Sequence, residues 1–218
     1  MFGLFVPNCL ALHLERLVQT KKHDMPNEVL FDEKKVLQKA MQLFWLKGYN
    51  GTSLDDLLKT TGLSRSSIYN SYGNKQGIFM QCLQYYRDWV LDTVTESVTK
   101  LKSPVKKIEI VFKISIDKLL KDKERKGCLI VNTATELANL EEEISLFMKG
   151  FEKELETLFQ DWIKEGQQTG EISKSFSSLA LSRHLYNSYQ GIKIIAKTTN
   201  DRKTLEDIVN VSISVLKQ

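Results

Sequence analysis

The chain has 218 residues, with 31 Lys and Arg against 27 Asp and Glu, so its formal net charge is +4. Hydrophobic residues make up 42% and charged residues 27%, a balance that argues against an intrinsically disordered chain. Only 3 residues are proline, which argues against collagen-like, linker-rich and β-sandwich proteins and favours a mostly helical one. The 3 cysteines are scattered, which excludes a disulfide framework and favours a reducing compartment.

The N-terminal segment, residues 1–26, is not predicted to belong to the folded domain. Residues 1–17 are apolar but have no basic start, and Pro7 interrupts them, so they make a poor signal peptide. No run of 18 apolar residues exists, so the sequence predicts no membrane span. We expect residues 1–26 to be an extension that is disordered or arises from an upstream start site.

Helix signals begin shortly after this extension. A first helix is predicted over residues 32–47, where apolar residues recur at helical spacing, and Gly48 ends it. Ser53 and Asp56 have the spacing of a capping box, which predicts a short second helix that ends at Gly62.

A third short helix, about residues 65–71, is predicted after the N-cap residue Ser64, and a long fourth helix begins near Lys75. The second and third helices meet across residues 61–64, which have the size and the glycine of a helix-turn-helix turn. Helices of about seven residues are marginal in isolation, so the first helix must supply a platform for both.

The remaining helices are predicted at about residues 104–121, 128–138, 140–168, 177–198 and 203–217. No segment alternates convincingly as a strand would, so the fold is predicted to be all-α with roughly nine helices. We expect a three-helix helix-turn-helix domain over residues 27–76. A second helical domain is expected over residues 77–218.

The third helix and its flanks carry side chains that suit DNA. Arg can bind guanine and Asn can bind adenine through two hydrogen bonds each, while hydroxyl and ammonium groups suit phosphates. The candidate DNA-binding residues are Thr52, Arg65, Ser66, Ser67, Tyr69, Asn70, Tyr72 and Lys75. Residues 32–76 hold seven Lys or Arg and four acids, whereas residues 141–165 hold eight acids and three Lys, so the basic surplus lies in the helix-turn-helix region.

Short helix-Gly-helix units also occur in helical proteins that do not bind DNA. A series of motifs in this sequence favours a DNA-binding protein over those. These motifs are Ala40-Met41-Gln42-Leu43-Phe44, Gly48-Tyr49, Thr52-Ser53, Asp56-Leu57, Thr61-Gly62-Leu63-Ser64, Ile68-Tyr69, Tyr72 and Lys75. With them, residues 36–85 resemble the N-terminal domain of TetR/AcrR-family transcriptional regulators. The resemblance implies a homodimeric repressor whose C-terminal helices bind a small effector. Members usually carry an aromatic residue at the position of Asn70 or Ser71, and this chain carries none there.

Polar and aromatic residues in the C-terminal part are candidates for a ligand cavity between helices. The candidate ligand-binding residues are Tyr86, Trp89, Phe112, Asn132, Phe151 and Tyr189. Each aromatic residue could instead be ordinary helical core, and Asn132 could instead cap a turn. We expect the effector, if one binds, to be partly apolar.

The last two predicted helices have apolar faces wider than a single core contact needs. Burial against a symmetric copy would account for them, and an intramolecular core is the alternative. The candidate dimer residues are Leu185, Ile192, Ile195, Ile208, Ser212 and Leu216.

Taken together, the sequence predicts a cytoplasmic, homodimeric transcriptional regulator that binds double-stranded operator DNA. We expect a repressor that a small-molecule effector releases from its operator. The sequence has no G-x-S-x-G, HExxH or P-loop motif, and we expect no catalytic residues, no metal site and no cofactor. The alternatives are a helical small-molecule-binding protein or enzyme without DNA binding, and a helical adaptor whose partner covers residues 65–70.

Overall fold

The computed structural model describes residues 32–139 and 141–217. Over these ranges the chain forms nine α-helices and no strand, which confirms the all-α prediction. The helices are α1 Glu33–Lys47, α2 Leu54–Thr61, α3 Arg65–Tyr72, α4 Lys75–Val98, α5 Pro104–Lys121, α6 Leu129–Leu137, α7 Glu142–Thr169, α8 Ser178–Ile195 and α9 Arg202–Ser214, followed by a 3₁₀ turn Val215–Lys217. The predicted extension over residues 1–26 lies outside the described residues.

The two short helices begin and end at the signals that the sequence carries. The Ser53 hydroxyl accepts a hydrogen bond from the Asp56 N–H at 3.1 Å, and the Asp56 carboxylate accepts one from the Ser53 N–H at 3.0 Å. The Ser64 hydroxyl accepts a hydrogen bond from the Ser67 N–H at 3.0 Å and so caps α3. Gly62 ends α2 in the left-handed region, with φ of 79°.

An aromatic contact between α1 and α4 forms the platform on which α2 and α3 rest. The Phe44 and Phe79 rings meet edge to face with their centroids 4.8 Å apart, and the Tyr49 ring lies 4.9 Å from that of Phe79. Leu57 of α2 and Ile68 of α3 are fully buried. Burying such side chains stabilises the fold by about 1.5–3 kcal/mol each, which offsets the weak intrinsic stability of eight-residue helices.

Helices α5, α7, α8 and α9 pack together in the C-terminal part, and α4 packs on both α1 and α5. An aromatic cluster of Phe112, Phe159 and Tyr189 joins α5, α7 and α8, with centroids 5.6–6.2 Å apart. Helix α7 runs unbroken past Gly150 and Gly166. None of the described helices is long and apolar enough to cross a membrane.

Gly62→Ala tests whether the turn between α2 and α3 depends on the backbone freedom of glycine. A Cβ at Gly62 would meet no atom within 4 Å, so the expected loss of about 1 kcal/mol of stability comes from the positive φ alone. Gly150→Ala is the matched control, because its Cβ also meets no atom but the residue lies inside α7. Urea unfolding should show that Gly150→Ala stabilises the chain by about 0.5–1 kcal/mol. Equal shifts in the same direction would contradict this reading of the turn.

Candidate DNA-binding face and effector cavity

Helix α3 presents one polar face to solvent. Arg65, Ser66, Tyr69 and Asn70 are all exposed and follow one another at the spacing of a single helix face. Tyr69 is 49% exposed, although it is a large aromatic residue. The Arg65 guanidinium lies 2.7 Å from the Asp55 carboxylate of α2, and both side chains are open to water, so this ion pair contributes little to stability. It does orient the guanidinium at the start of α3.

Three serine hydroxyls meet at the N-terminal end of α3. The Ser64 hydroxyl lies 2.9 Å from that of Ser66 and 2.8 Å from that of Ser67. Ser66 is exposed, whereas Ser67 is half-buried. Ser66 therefore belongs to the exposed face, and Ser67 belongs mainly to the cap of the helix.

Two of the candidate phosphate-binding residues lie beneath the surface. Thr52 is fully buried, and its hydroxyl donates a hydrogen bond to the Gly48 carbonyl at 2.7 Å. Tyr72 is 7% exposed, and its buried hydroxyl has no hydrogen-bond partner among the described residues. Burial raises the pKa of Tyr72 to about 12. Neither side chain offers an exposed oxygen to DNA in this structure.

Lys75, which was also expected to bind phosphate, holds the loop between α1 and α2 in place. Its ammonium donates hydrogen bonds to the carbonyls of Tyr49 and Thr52, at 3.0 Å and 3.1 Å. It also lies 4.1 Å from the centroid of the Tyr49 ring. An ammonium group has three N–H donors, so one of them is left for a phosphate at this half-buried position.

Glu136 of α6 connects the same loop to the C-terminal helices. Its carboxylate accepts hydrogen bonds from the backbone N–H groups of Tyr49 at 3.1 Å and Asn50 at 2.7 Å. A Cβ at Gly48 would lie only 2.9 Å from this carboxylate, and Gly48 has a φ of 76°. The loop therefore favours glycine at position 48 for its positive φ, and a Cβ there would also push the Glu136 carboxylate from its present place.

A cavity lies between α1, α4, α5, α8 and the segment that leads into α6. Trp45 of α1 and Tyr86 and Trp89 of α4 form an aromatic wall, in which the Trp45 and Tyr86 rings are 5.0 Å apart and those of Tyr86 and Trp89 are 5.5 Å apart. The Tyr86 hydroxyl donates a hydrogen bond to the Cys128 thiol at 3.4 Å. Burial, together with Cys128, raises the pKa of Tyr86. Tyr189 of α8 also lines the cavity.

Of the six candidate ligand-binding residues, Tyr86, Trp89 and Tyr189 line this cavity and the other three do not. Phe112 and Phe151 are buried in the C-terminal core. The Asn132 amide donates a hydrogen bond to the Lys126 carbonyl at 2.8 Å, and its oxygen accepts one from Lys197 at 3.0 Å. Asn132 thus holds the segment that precedes α6.

Most candidate dimer residues are already covered within one chain. Leu185, Ile192 and Leu216 have no exposed surface. Ser212 is also buried, with its hydroxyl bonded to the Ile208 carbonyl at 2.8 Å, and Ile208 is half-buried. Of the six, Ile195 is the exposed residue, and the exposed large apolar side chains on α8 and α9 are Ile194, Ile195 and Val211.

Comparisons with known proteins agree with this geometry. Residues 36–82 match the model for bacterial regulatory proteins of the tetR family, and residues 104–211 match a tetracyclin repressor-like C-terminal domain. The HTH-type transcriptional regulator YezE of Bacillus subtilis is 33% identical over 187 residues, which cover 85% of this chain and 96% of that protein. The chain belongs to the TetR family. The HTH-type transcriptional repressor DhaR of Mycobacterium sp. strain GP1 is 26% identical over 189 residues, which cover 83% of this chain and 90% of that protein.

A solved TetR-family structure shows the same fold. It is a cysteine mutant of the regulator CifR in complex with 26-base-pair double-strand operator DNA. It has 21% identity and a TM-score of 0.78, and the match covers 88% of this chain and all of that one. Family membership confirms that this chain is a helix-turn-helix transcriptional regulator and not an enzyme.

Two residues with a role in the structure of this TetR-family chain were not predicted from the sequence. Glu136 is an isolated acid near the end of an otherwise uncharged helix, and Lys193 is an isolated base in the apolar run of residues 191–196. A lone charge in an apolar stretch was the available signal in both cases, because burying a charge is costly unless a partner compensates for it.

Glu136→Ala should free the loop between α1 and α2. Removal of the carboxylate leaves the Tyr49 and Asn50 N–H groups without their acceptor, at an expected cost of about 1–3 kcal/mol. Hydrogen exchange of these two amides, followed by NMR, should become faster by about tenfold or more. Glu136→Gln is the control, since it keeps one acceptor oxygen and should give a smaller change. Unchanged exchange in Glu136→Ala would show that the contact does not hold the loop.

Proposed function

We propose that this regulator is a homodimeric repressor that binds double-stranded operator DNA through α3 and leaves it when a small molecule fills the cavity. The proposed domains are residues 27–76 for DNA and residues 77–218 for effector binding and dimerisation. Arg65, Ser66, Tyr69 and Asn70 would read the major groove, where a helix of this size fits. We also propose a cytoplasmic location, because a bacterial operator would be found there.

One observation carries the proposal: α1 contributes neighbouring residues to both sites. Phe44 belongs to the platform under α2 and α3, and Trp45 belongs to the aromatic wall of the cavity. A ligand that displaces Trp45 would therefore also bias the position of the platform. Glu136 supplies a second connection, because it joins α6 to the loop before α2. Through these contacts an effector would favour a spacing of the two recognition helices that does not fit DNA.

The direct test is a gel-shift titration against DNA that flanks the protein's own gene, followed by selection from genomic fragments. We expect a specific near-palindromic site whose half-sites lie about one or two helical turns apart. Affinity should fall steeply with salt, because phosphate contacts release counterions. If the selection enriched no sequence, the proposal of operator binding would be refuted.

Two variants separate base reading from phosphate binding. Arg65→Ala should relax sequence preference by about 1–3 kcal/mol at one base position, since a bidentate contact to guanine is lost. Lys75→Ala should weaken binding to all sequences and reduce the salt slope by about 1. Its unfolding must be measured alongside, because Lys75 also holds the Tyr49 and Thr52 carbonyls. Lys102→Ala removes an exposed charge remote from α3 and should change neither property. Equal behaviour of all three variants would contradict the assignment.

Dimerisation is proposed to involve the apolar side chains that α8 and α9 leave exposed. Val211 is 70% exposed, and its burial against a second copy would be favourable. Val211→Glu should shift the protein toward monomer in sedimentation velocity at micromolar concentration, because a carboxylate in an apolar interface is costly. Thr95→Glu places the same charge on the exposed surface of α4 and should leave the dimer intact. A Val211→Glu protein that stays dimeric would exclude this residue from the interface.

A further inference from the structure

The cavity wall carries more positive charge than its own carboxylate can neutralise. Its titratable side chains include four lysines and a single acid, Asp122. That acid is already engaged, because its carboxylate accepts hydrogen bonds from both the Lys126 ammonium, at 2.9 Å, and the Lys126 N–H, at 2.7 Å. The cavity thus has no remaining carboxylate of its own for a further ammonium.

Lys193 of α8 is the most buried of these lysines. Only 6% of the residue is exposed. Its ammonium donates a hydrogen bond to the Gln190 side-chain oxygen at 2.9 Å and lies 3.7 Å from the centroid of the Tyr189 ring. Within the described part of the chain, no carboxylate pairs with it. A neutral amide and a ring face compensate only partly for the removal of an ammonium from water.

Lys118 of α5 lines the same cavity, but unlike Lys193 it is exposed to solvent. Its ammonium lies 4.2 Å from the centroid of the Trp89 ring and donates a weak hydrogen bond to the Thr93 hydroxyl at 3.3 Å. No ion pair of Lys118 is found among the described residues. Partial burial lowers its pKa, as expected for an ammonium without an anionic partner.

We propose that the cavity binds a monoanion, a carboxylate or sulfonate on a flat apolar body, with Lys193 and Lys118 as the partners of its charged group. The inference rests on the proposed function, since it names the chemical class of the effector. The aromatic wall of Trp45, Tyr86 and Trp89 accepts the apolar body, while the anion supplies the charge that both lysines lack. A cationic ligand would add a like charge, and a neutral one would leave Lys193 uncompensated.

A matched set of naphthalene probes tests the charge preference by calorimetric titration of the full chain. The set comprises 2-naphthoate, 2-naphthalenesulfonate, 2-naphthamide and 2-naphthylmethylammonium. At least one anion should bind about tenfold more tightly than the amide, and the ammonium probe should bind most weakly. Which of the two anions binds better distinguishes a carboxylate from a sulfonate effector. Binding of the amide or the ammonium probe as tight as that of the anions would overturn the proposal, as would binding of none of the four.

Charge-removing variants test the two lysines. Lys193→Met and Lys118→Met should each weaken binding of the anion about tenfold and leave binding of 2-naphthamide unchanged. Lys113→Met is the control, because Lys113 is an exposed lysine of the same helix α5 that does not line the cavity. Thermal unfolding checks each variant, and Lys118→Met carries the test alone if Lys193→Met does not fold. Folded variants that bind the anion as tightly as the unaltered chain would refute the assignment.

DNA binding is measured separately on the same ligand-free protein. A chain that prefers the anionic probes but binds no operator would refute the proposed repressor and leave the anion site standing. A chain that binds its operator but prefers the amide would refute the anion site and leave the repressor standing.

Discussion

The edge-to-face contact between Phe44 and Phe79 is the interaction on which the DNA-binding region depends. Helices α2 and α3 have eight residues each, too few to persist without tertiary contacts. They persist because α2 packs on α1 and α3 packs on α4, and Leu57 and Ile68 become fully buried. Because Ile68 is buried, the opposite face of α3 faces the solvent. The rigid display of Arg65 and its neighbours is thus a consequence of packing on the other side of the helix.

The platform is also tied to the C-terminal helices at two places. Trp45, next to Phe44, packs against Tyr86 of α4. Glu136 at the far end of α6 holds the loop that leads into α2. Helix α6 therefore spans the distance between the two sites, since Cys128 at its start lines the cavity. A shift of α6 along its axis would move both Cys128 at the cavity and Glu136 at the loop before α2. Through this helix, a ligand in the cavity would change the position of the loop.

The helices were predictable from sequence because their signals are local. Ser53 with Asp56 and Ser64 fix where α2 and α3 begin, and both caps are present in the structure. Burial of individual polar residues was not predictable. Thr52 and Tyr72 have side chains that suit phosphates, yet other elements cover them.

Apolar periodicity has a related weakness, because it marks a face without saying what packs on it. Leu185 and Ile192 were expected at a dimer contact, yet their own chain covers them. The role of Lys193 could not be predicted from its own helix, because the cavity that it lines is formed by α1, α4, α5 and α8, which are distant in sequence.

The shared position of Trp45 has an evolutionary consequence. A substitution there alters the cavity, but it also disturbs the helix that carries Phe44, so a gain in ligand fit is coupled to a change under the recognition helix. Trp89 and Lys118 are not adjacent to a platform residue, since Trp89 lies farther along α4 than Phe79 and Lys118 lies on α5. Divergence to a new ligand would therefore proceed through α5, α8 and the part of α4 beyond Phe79, while selection for operator binding restrains α1.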